Sequence, residues 1–468
     1  MAVLQSVLES GADAQAALDT ALSRSLPANT QTHHVADARL CTELVYGTLR
    51  NSLRLDWFLQ RFLPNPEKLP LTMRLALQAA CHELFHMRVP EYATVDAYVG
   101  LVKALFGTSL GNVANGVLRN VLRSQHDYFD LAFYEAAWPD RLAALACFHS
   151  CPEWLARLWA EHYGEAKAVQ YMVASSLPAP AGLRLYPARL PVDTPLIPDL
   201  AVKALLRADG KGQILPTLPA GEDAAPLCSE GNVQDSVQAI RHLAFDRALP
   251  PEADPLLDAG MASRQSGASF QALFALHPET WGGPIWDCCA GRGGKTLALM
   301  EAGIPVALCS DISASRLKGL AADLHRIFGP AKDSDPVIFR HAADQPLACE
   351  ALPSLVHEGF GAVLVDAPCS GFGTLARHPE IRLRRTPADV ENLVALQGRI
   401  LHETAKSVKK GGALVYMTCT VTPKENDGQV AAFLQTHPEF IQEREFTTPA
   451  DTPYREFFFG VVLRKKQD

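Results

Sequence analysis

The sequence predicts a multidomain protein with an all-α amino-terminal domain, a small α+β extension and an α/β, Rossmann-like carboxy-terminal domain. In the first third, apolar residues recur at three-to-four spacing, which is typical of amphipathic helices. The middle is rich in proline, and the last part carries short apolar, β-branched runs that end in acids or cysteines. Such runs are typical of buried parallel strands. We place the domains at residues 1–145, 146–255 and 256–468.

Composition limits the classes of protein that fit. The chain has 468 residues, 48% of them hydrophobic and 20% charged, with a net charge of −8. This charge argues against a uniformly basic nucleic-acid binder, although an RNA enzyme can confine its positive charge to one face. Eleven cysteines, an odd number without paired Cys-x-x-Cys spacing, favour a reducing compartment over a disulfide scaffold or a metal site. We therefore expect a cytoplasmic protein with no metal ion and no membrane span.

The helical pattern extends from residue 4 to about residue 146. Apolar residues such as Leu40 and Leu44, Val45 and Leu49, and Met73, Leu77 and Ala80 recur at three-to-four spacing. Residues 176–260 differ, because they hold twelve of the 33 prolines. Proline lacks the amide proton that a continuing helix needs, so short strands and turns are predicted there.

Two cysteines follow apolar runs near the end of the chain. Runs 362–365 and 413–416 read as buried parallel strands, and Cys369 and Cys419 come shortly after them. Parallel strands end at one edge of the sheet, where ligands of open α/β sheets bind. The sequence therefore predicts that both sulfurs emerge at the carboxyl edge of one sheet. As isolated residues they would read as small buried apolar side chains.

A glycine-rich turn comes earlier in the same domain. Residues 286–296 run from a short strand into a helix over 296–301. Glycines allow the backbone to approach a nucleotide closely, and the first amides of a helix favour an anion. The turn has neither the full phosphate-loop spacing nor the complete dinucleotide fingerprint, so alone it also fits a tight strand-to-helix connection.

Three aspartates follow three successive predicted strands. Asp311 comes about twenty residues after the glycine turn, where a ribose would be held. Asp344 and Asp366 follow the next two strands. Any one of them is commonly a helix cap or a turn residue. Their repetition at strand ends favours a nucleoside site.

These motifs resemble those of the NOL1/NOP2/Sun RNA cytosine methyltransferases. The likeness covers the glycine turn 290–296, Asp-Ala-Pro-Cys at 366–369 and Thr-Cys-Thr at 418–420, together with 378–380 and 423–426. It implies a class I methyltransferase domain that uses S-adenosylmethionine to methylate carbon 5 of cytosine. Carbon 5 is a poor nucleophile, so this chemistry needs a thiolate at carbon 6 and a second group that promotes release.

The resemblance assigns a role to each motif residue. Cys419 is the nucleophile, Cys369 assists release, and Asp366 lies near the ring nitrogen and exocyclic amine of the base. The implied cofactor contacts are Cys289, Ala290, Gly291, Arg292, Gly293, Gly294, Lys295, Asp311, Asp344 and Asp366. Relatives carry proline where this chain has Arg292 and aspartate where it has Ser266, which puts the turn geometry and cofactor affinity in question.

Positive charge is concentrated after the first of the two cysteines. Residues 371–412 contain eight Lys or Arg and four Asp or Glu, a net charge of +4. Such a stretch can neutralise phosphates and position a base, or it can form a solvated helix face. The predicted RNA contacts are Arg377, Arg382, Arg384 and Arg385.

The amino-terminal third also resembles a known domain. Its phrases at 43–50, 93–96 and 111–119 are similar to the RNA-binding NusB domain. This fusion is typical of the bacterial Sun/Fmu group, also called RsmB, and implies ribosomal RNA, specifically 16S, as the partner of a monomeric enzyme. The alternative is a non-catalytic RNA-binding or ribosome-assembly factor that retains the fold. Retention of both cysteines and three acids argues against that alternative.

Overall fold

A computed structural model describes residues 1–25, 31–63, 65–190, 200–201, 203–209, 213, 240–348 and 357–467. The chain forms two compact units. The first contains Met1–Leu177 and Thr374–Arg385, and the second contains Pro178–Gly373 and Thr386–Asp468. The segment that follows the first cysteine motif therefore folds with the amino-terminal helices.

The first unit is helical, as the apolar spacing predicted. Its helices span Ala2–Glu9, Ala14–Ser25, Gln31–Gln60, Leu71–His86, Glu91–Phe106, Thr108–Arg123, Gln125–Phe129, Leu131–Ala137, Arg141–Phe148, Glu153–Tyr163, Glu165–Ser175 and Ile381–Arg384. Side chains such as Phe58, Met73, Leu77, Val102 and Leu118 form one buried cluster. Burial of the apolar side chains between helices is the main source of stability for helices of ordinary length.

The second unit begins with a small antiparallel sheet. Its strands are β1 (Ala181–Leu185), β2 (Leu206–Asp209), β3 (Ile240–Phe245) and β4 (Ala262–Arg264). Their spatial order is β2-β3-β1-β4, and a short helix, Asp254–Asp258, precedes β4. Short strands in the proline-rich segment confirm the predicted secondary structure. The remainder of that segment, chiefly 191–199 and 214–239, lies outside the described residues.

The structure divides the chain differently from the predicted boundaries at 145 and 255. Helices Glu153–Tyr163 and Glu165–Ser175 belong to the helical unit, so its first stretch ends at Leu177. At the other boundary, β1 pairs with β4, which joins residues from both sides of position 255 in one sheet. Hydrogen bonds between distant strands cannot be read from local composition.

A seven-stranded sheet forms the body of the second unit. Its strands are β5 (Ile285–Asp287), β6 (Val306–Asp311), β7 (Val337–Arg340), β8 (Phe360–Asp366), β9 (Val408–Thr418), β10 (Phe440–Thr447) and β11 (Phe459–Lys465). The order is β10-β11-β9-β8-β5-β6-β7. The ladders linking β9, β8, β5, β6 and β7 are parallel, while β11 runs antiparallel to both of its neighbours. This is the predicted α/β, Rossmann-like architecture.

Helices cover both faces of this sheet. They span Gly267–Ala275, Gly294–Glu301, Ala314–Phe328, Pro387–Ala405 and Asp427–Thr436. Along β8, Leu364 belongs to one apolar cluster, whereas Val363 and Val365 belong to the other. Successive side chains of a strand point to opposite faces, so an unbroken apolar run marks a strand buried on both sides. Within the part of the chain that the structure describes, no helix combines the length and apolar character needed to cross a bilayer.

Candidate active site

The two motif cysteines lie side by side at the carboxyl edge of the large sheet. Cys369 follows β8 and Cys419 follows β9, and their Sγ atoms are 3.3 Å apart. The backbone amide of Cys419 also donates to Cys369 Sγ at 3.3 Å. Both side chains are half-buried. The parallel register of β8 and β9 brings two residues separated by 50 positions next to each other.

The two sulfurs differ in their electrostatic surroundings. The hydrogen bond with Cys419, followed by burial, raises the pKa of the Cys369 thiol. The charges of Cys419 and Glu425 act in the same direction. These effects favour the protonated form of Cys369.

A buried ion pair lies at the same edge. Lys295 Nζ is 2.5 Å from Asp366 Oδ2, and Lys295 is only 8% exposed. Burial lowers the pKa of Lys295, but the negative charges of Asp366, Cys419 and Asp287 outweigh it and hold the pKa above its ordinary value. The site thus contains a fixed positive charge whose field reaches the Cys419 sulfur. A nearby cation favours a thiolate.

The glycine turn is held by Asp311, the acid that ends β6. Asp311 Oδ2 accepts from Gly291 N at 3.0 Å, and its Oδ1 accepts from Ser313 N at 2.7 Å. Gly291 and Gly293 have φ of +56° and +84°, a region that favours glycine. A Cβ on Gly293 would also lie 2.2 Å from Leu320 Cδ1.

Two departures from the relatives' pattern have local explanations. Arg292 is exposed, with its guanidinium beside Gly319, and the turn still closes with a Gly293 N to Ala290 O bond of 2.8 Å. Ser266 caps the helix Gly267–Ala275 and donates its hydroxyl to Glu456 Oε2 at 2.7 Å. Glu456 is 2% exposed, so an aspartate at 266 would set two carboxylates against each other.

The remaining predicted cofactor residues lie around the same edge. Asp344 follows β7 and contacts Arg399, whose Nε is 3.4 Å from its Oδ2. Cys289 is half-buried, with its sulfur 3.9 Å from that of Cys288. Ala290 N donates to Ser310 O at 2.9 Å, which ties the turn to β6.

Arg382 is not available for the RNA contact predicted from the charge pattern. It is 3% exposed, and burial lowers its pKa to about 10. Its guanidinium donates to the backbone carbonyls of Pro379, Arg50, Ser150, Ser175 and Leu375. All five of its N–H groups are used within the helical unit, because the segment 374–385 is folded into that unit.

The other three arginines of the predicted RNA set are half-buried. One terminal nitrogen of Arg384 donates to the carbonyls of Val7 and Ala12, so this side chain also anchors the segment. Arg377 and Arg385 remain predicted RNA contacts.

Several site residues escaped the sequence analysis. Asp287, at the end of β5, is fully buried and accepts from Thr296 Oγ1 at 2.6 Å. Its Oδ1 has no hydrogen-bond partner among the described residues. Glu425 and Asn426 belong to the motif 423–426, and both are buried with side chains that bond to the cysteine loops. The signal that could have marked them is a polar side chain in an otherwise apolar stretch.

Burial of Asp287 predicts a distinctive pH dependence. Desolvation raises the pKa of this carboxyl from 3.8 to about 7, while Thr296 and Lys295 act in the opposite direction. A raised folded-state pKa stabilises the protein below pH 4, and this stability is lost as pH rises towards 7. Relative to wild type, Asp287→Asn should gain up to about 4 kcal/mol of unfolding free energy between pH 4 and 7, measured by urea denaturation. A constant difference over this window would contradict the burial argument.

Comparisons with known proteins identify the family. Residues 272–456 match the family described as 16S rRNA methyltransferase RsmB/F, and residues 1–123 match the NusB family. The probable ribosomal RNA small subunit methyltransferase B of Bacillus subtilis is 30% identical over 414 residues, covering 86% of this chain and 80% of that protein. The chain belongs to the RsmB/F methyltransferase family.

Further similarities extend along the whole chain. The ribosomal RNA small subunit methyltransferase B of Vibrio cholerae is 31% identical over 429 residues, covering 90% of this chain and 87% of that protein. The crystal structure of PH0851 has a TM-score of 0.68 at 19% identity and covers 99% and 98% of the two chains. A methyltransferase homologue from Pyrococcus horikoshii has a TM-score of 0.52 at 20% identity, covering 70% of this chain and 99% of that one. The last two similarities concern the fold.

The site residues fit S-adenosylmethionine, the methyl donor of the RsmB/F family. A Cβ on Gly291 or Gly294 would meet no atom of the described residues within 4 Å, so there is open space beside the turn. Asp311 offers a buried carboxylate next to this space, where a ribose could be held. The Asp287 oxygen without a partner is a further buried acceptor in the same region.

Proposed function

We propose that this RsmB/F family member methylates carbon 5 of a cytidine in 16S ribosomal RNA through a covalent bond to Cys419. The observation that carries the proposal is the pair of sulfurs 3.3 Å apart at the ligand-binding edge of the sheet. A more nucleophilic atom of the base, such as an amino nitrogen, could accept the methyl group directly and would need no thiol in the enzyme. Methylation of carbon 5 needs one thiol to attack carbon 6 and a second group to promote release, which the paired cysteines can provide.

In the first step, Cys419 Sγ adds to carbon 6 of the base. A sulfur–carbon bond forms, and the electron pair of the 5,6 double bond becomes available at carbon 5. S-adenosylmethionine, when bound, supplies the methyl group to carbon 5. Asp366 Oδ2, already paired with Lys295, would accept a hydrogen bond from the exocyclic amine. Lys295 stabilises the Cys419 thiolate before attack, since its charge lies inside a poorly solvated site.

In the second step, Cys369 removes the proton from carbon 5. The electrons of that C–H bond restore the 5,6 double bond, and the carbon 6–sulfur bond breaks with its electron pair returning to Cys419. Cys369 must lose its own proton to solvent first. The hydrogen bond with the Cys419 sulfur is the largest cause of the raised pKa of Cys369. In the adduct, the Cys419 sulfur is an uncharged thioether. The pKa of Cys369 therefore falls at the stage when a base is needed.

Positively charged side chains are expected to hold the RNA. Arg377 and Arg385 are the proposed phosphate contacts, and the enzyme is proposed to act as a monomer. Arg382 and Arg384 instead hold the segment that carries them.

The test uses cells with and without the gene. Bisulfite sequencing of total RNA should find one or more 16S cytidines that are unmodified without the gene and restored by the wild-type chain. A Cys419→Ala chain is the matched control and should not restore them. Unchanged bisulfite profiles, together with altered ribosome assembly, would instead support the non-catalytic assembly factor.

Cofactor binding should depend on Asp311. Asp311→Ala removes an acceptor of two backbone amides and a candidate ribose partner, so S-adenosylmethionine binding should weaken by about 1–3 kcal/mol in calorimetry. Asp333→Ala, which changes an exposed aspartate in the loop before β7, is the matched control and should bind normally. Unchanged affinity in a folded Asp311→Ala protein would remove Asp311 from the cofactor site.

A further inference from the structure

Two consecutive residues, Glu425 and Asn426, lie behind the paired sulfurs. They occupy the turn that precedes the helix Asp427–Thr436, and their exposures are 0% and 3%. Tyr416 fixes this turn, because its hydroxyl donates to the backbone carbonyl of Glu425 at 2.7 Å. Buried polar side chains need partners, so their contacts indicate what they are there to hold.

The Glu425 side chain holds the loop of Cys369. Its Oε1 accepts from Ser370 N at 2.8 Å, and its Oε2 accepts from Ser370 Oγ at 2.6 Å. Gln397 Nε2 donates both to Glu425 Oε1, at 3.0 Å, and to Pro368 O, at 2.9 Å. The residues on both sides of Cys369 are therefore fixed by one buried carboxylate and its amide partner. Three accepted bonds suit a carboxylate, which has no proton to donate.

The Asn426 side chain holds the loop of Cys419 instead. Its Oδ1 accepts from Thr418 Oγ1 at 2.6 Å, and its Nδ2 donates to Thr420 O at 3.0 Å. Thr418 and Thr420 are the immediate neighbours of Cys419. The Asn426 side-chain amide thus bonds to the residues on both sides of Cys419, one through its oxygen and the other through its nitrogen.

We propose that Glu425 and Asn426 are positioning residues with unequal roles: Glu425 sets Cys369 for release, and Asn426 sets Cys419 for attack. This inference rests on the proposed thiolate mechanism. A purely structural turn would affect both sulfurs alike, whereas Glu425 bonds directly to the Cys369 loop and Asn426 bonds directly to the Cys419 loop. One hydroxyl contact, Ser370 Oγ to Thr420 Oγ1 at 2.8 Å, links the two loops, so the effects should be unequal rather than wholly separate. The division is therefore testable step by step.

Electrostatics distinguishes the two residues further. Glu425 adds to the hydrogen bond and burial that raise the pKa of Cys369, whereas Asn426 carries no charge. Loss of the Glu425 charge should therefore make the Cys369 thiolate easier to form but a weaker base toward the carbon 5 proton, and loss of the Ser370 bonds should displace it. The corresponding change at Asn426 should leave the titration of Cys369 almost unchanged.

The first experiment measures covalent trapping with the full-length chain. Glu425→Gln, Asn426→Asp and the exposed neighbour control Asp427→Asn are incubated with unmodified 16S ribosomal RNA and S-adenosylmethionine, then resolved under denaturing conditions. Glu425→Gln should accumulate at least tenfold more protein–RNA adduct than wild type, because release is impaired. Asn426→Asp should form adduct at least tenfold more slowly without accumulation, and Asp427→Asn should match wild type. Equal losses of both steps in the first two variants would overturn the division of roles.

The second experiment needs neither RNA nor cofactor. The rate of alkylation of each cysteine by iodoacetamide is followed against pH by peptide mass spectrometry. For Glu425→Gln, the Cys369 profile should move to lower pH, while Asn426→Asp should leave that profile in place and slow Cys419 alkylation. An unmoved Cys369 profile in Glu425→Gln would overturn its role even if methylation were lost. If the larger changes unfold the protein, Ser370→Ala and Thr418→Val provide milder tests, because each removes one hydrogen-bond partner of Glu425 or Asn426. Ser370→Ala should accumulate adduct and Thr418→Val should slow adduct formation, each more weakly than the larger change.

The two experiments separate the inference from the function it rests on. If wild type methylates no cytidine and forms no adduct, the proposed function fails. The alkylation profiles still decide whether Glu425 and Asn426 act on different sulfurs.

Discussion

Cys419→Ala should lose methyl transfer by at least about 10³-fold, because the proposed mechanism makes Cys419 the covalent nucleophile and its removal leaves only substrate binding and positioning. No protein–RNA adduct should form, since the bond to carbon 6 cannot be made. Fold and cofactor binding should persist, because Cys419 is half-buried and not part of the glycine turn. The measurement is incorporation of labelled methyl groups into unmodified 16S ribosomal RNA.

Cys369→Ala should fail at the later step. It should transfer one methyl group per enzyme molecule and then stay attached to RNA, as a band that resists denaturation and requires S-adenosylmethionine. The double variant should give no band. Cys41→Ala, a half-buried cysteine of the helical unit, should behave as wild type. Adduct in Cys419→Ala would reverse the two roles, and normal activity in both single variants would rule out the thiolate mechanism.

The residues at the carboxyl edge of the sheet were predictable, because the apolar runs mark the strands and each candidate residue follows a run in the sequence. Apolar runs before Asp311, Asp366 and Cys419 have the composition of strands buried on both faces, and parallel strands must end together. The glycine turn was also local, since positive φ at Gly291 and Gly293 selects residues without a side chain. These features need no knowledge of distant contacts.

The contacts behind the site were not predictable, because they depend on where distant backbone groups converge. The sequence presents Arg382 as one member of a basic stretch, and only the fold reveals carbonyls from Arg50, Ser150 and Ser175 around it. Glu425 likewise follows a lysine in a polar turn, where exposure is the ordinary expectation. Its burial depends on the packing of β8, β9 and the helix Pro387–Ala405, which supplies Gln397.

Arg382→Met should lower the free energy of unfolding by about 5 kcal/mol, because it leaves up to five buried carbonyls without a donor. Methionine fills much of the arginine stem volume, so the lost hydrogen bonds, rather than a cavity, are the main cause. Arg382→Lys should recover only part of the loss, since three donors on a compact ammonium cannot reproduce the planar fork. The measurement is urea denaturation followed by the helical circular dichroism signal.

The effect of Arg382→Met should be specific to the segment 374–385. Arg119→Met, on the exposed face of the helix Thr108–Arg123, removes an arginine whose Nε contacts Asn115, and it should change stability by less than about 0.5 kcal/mol. Because Thr374 follows the cysteine loop directly, limited proteolysis of Arg382→Met should cut first within 374–385. Wild-type stability together with weakened RNA binding in Arg382→Met would contradict the anchoring role and return Arg382 to the RNA surface.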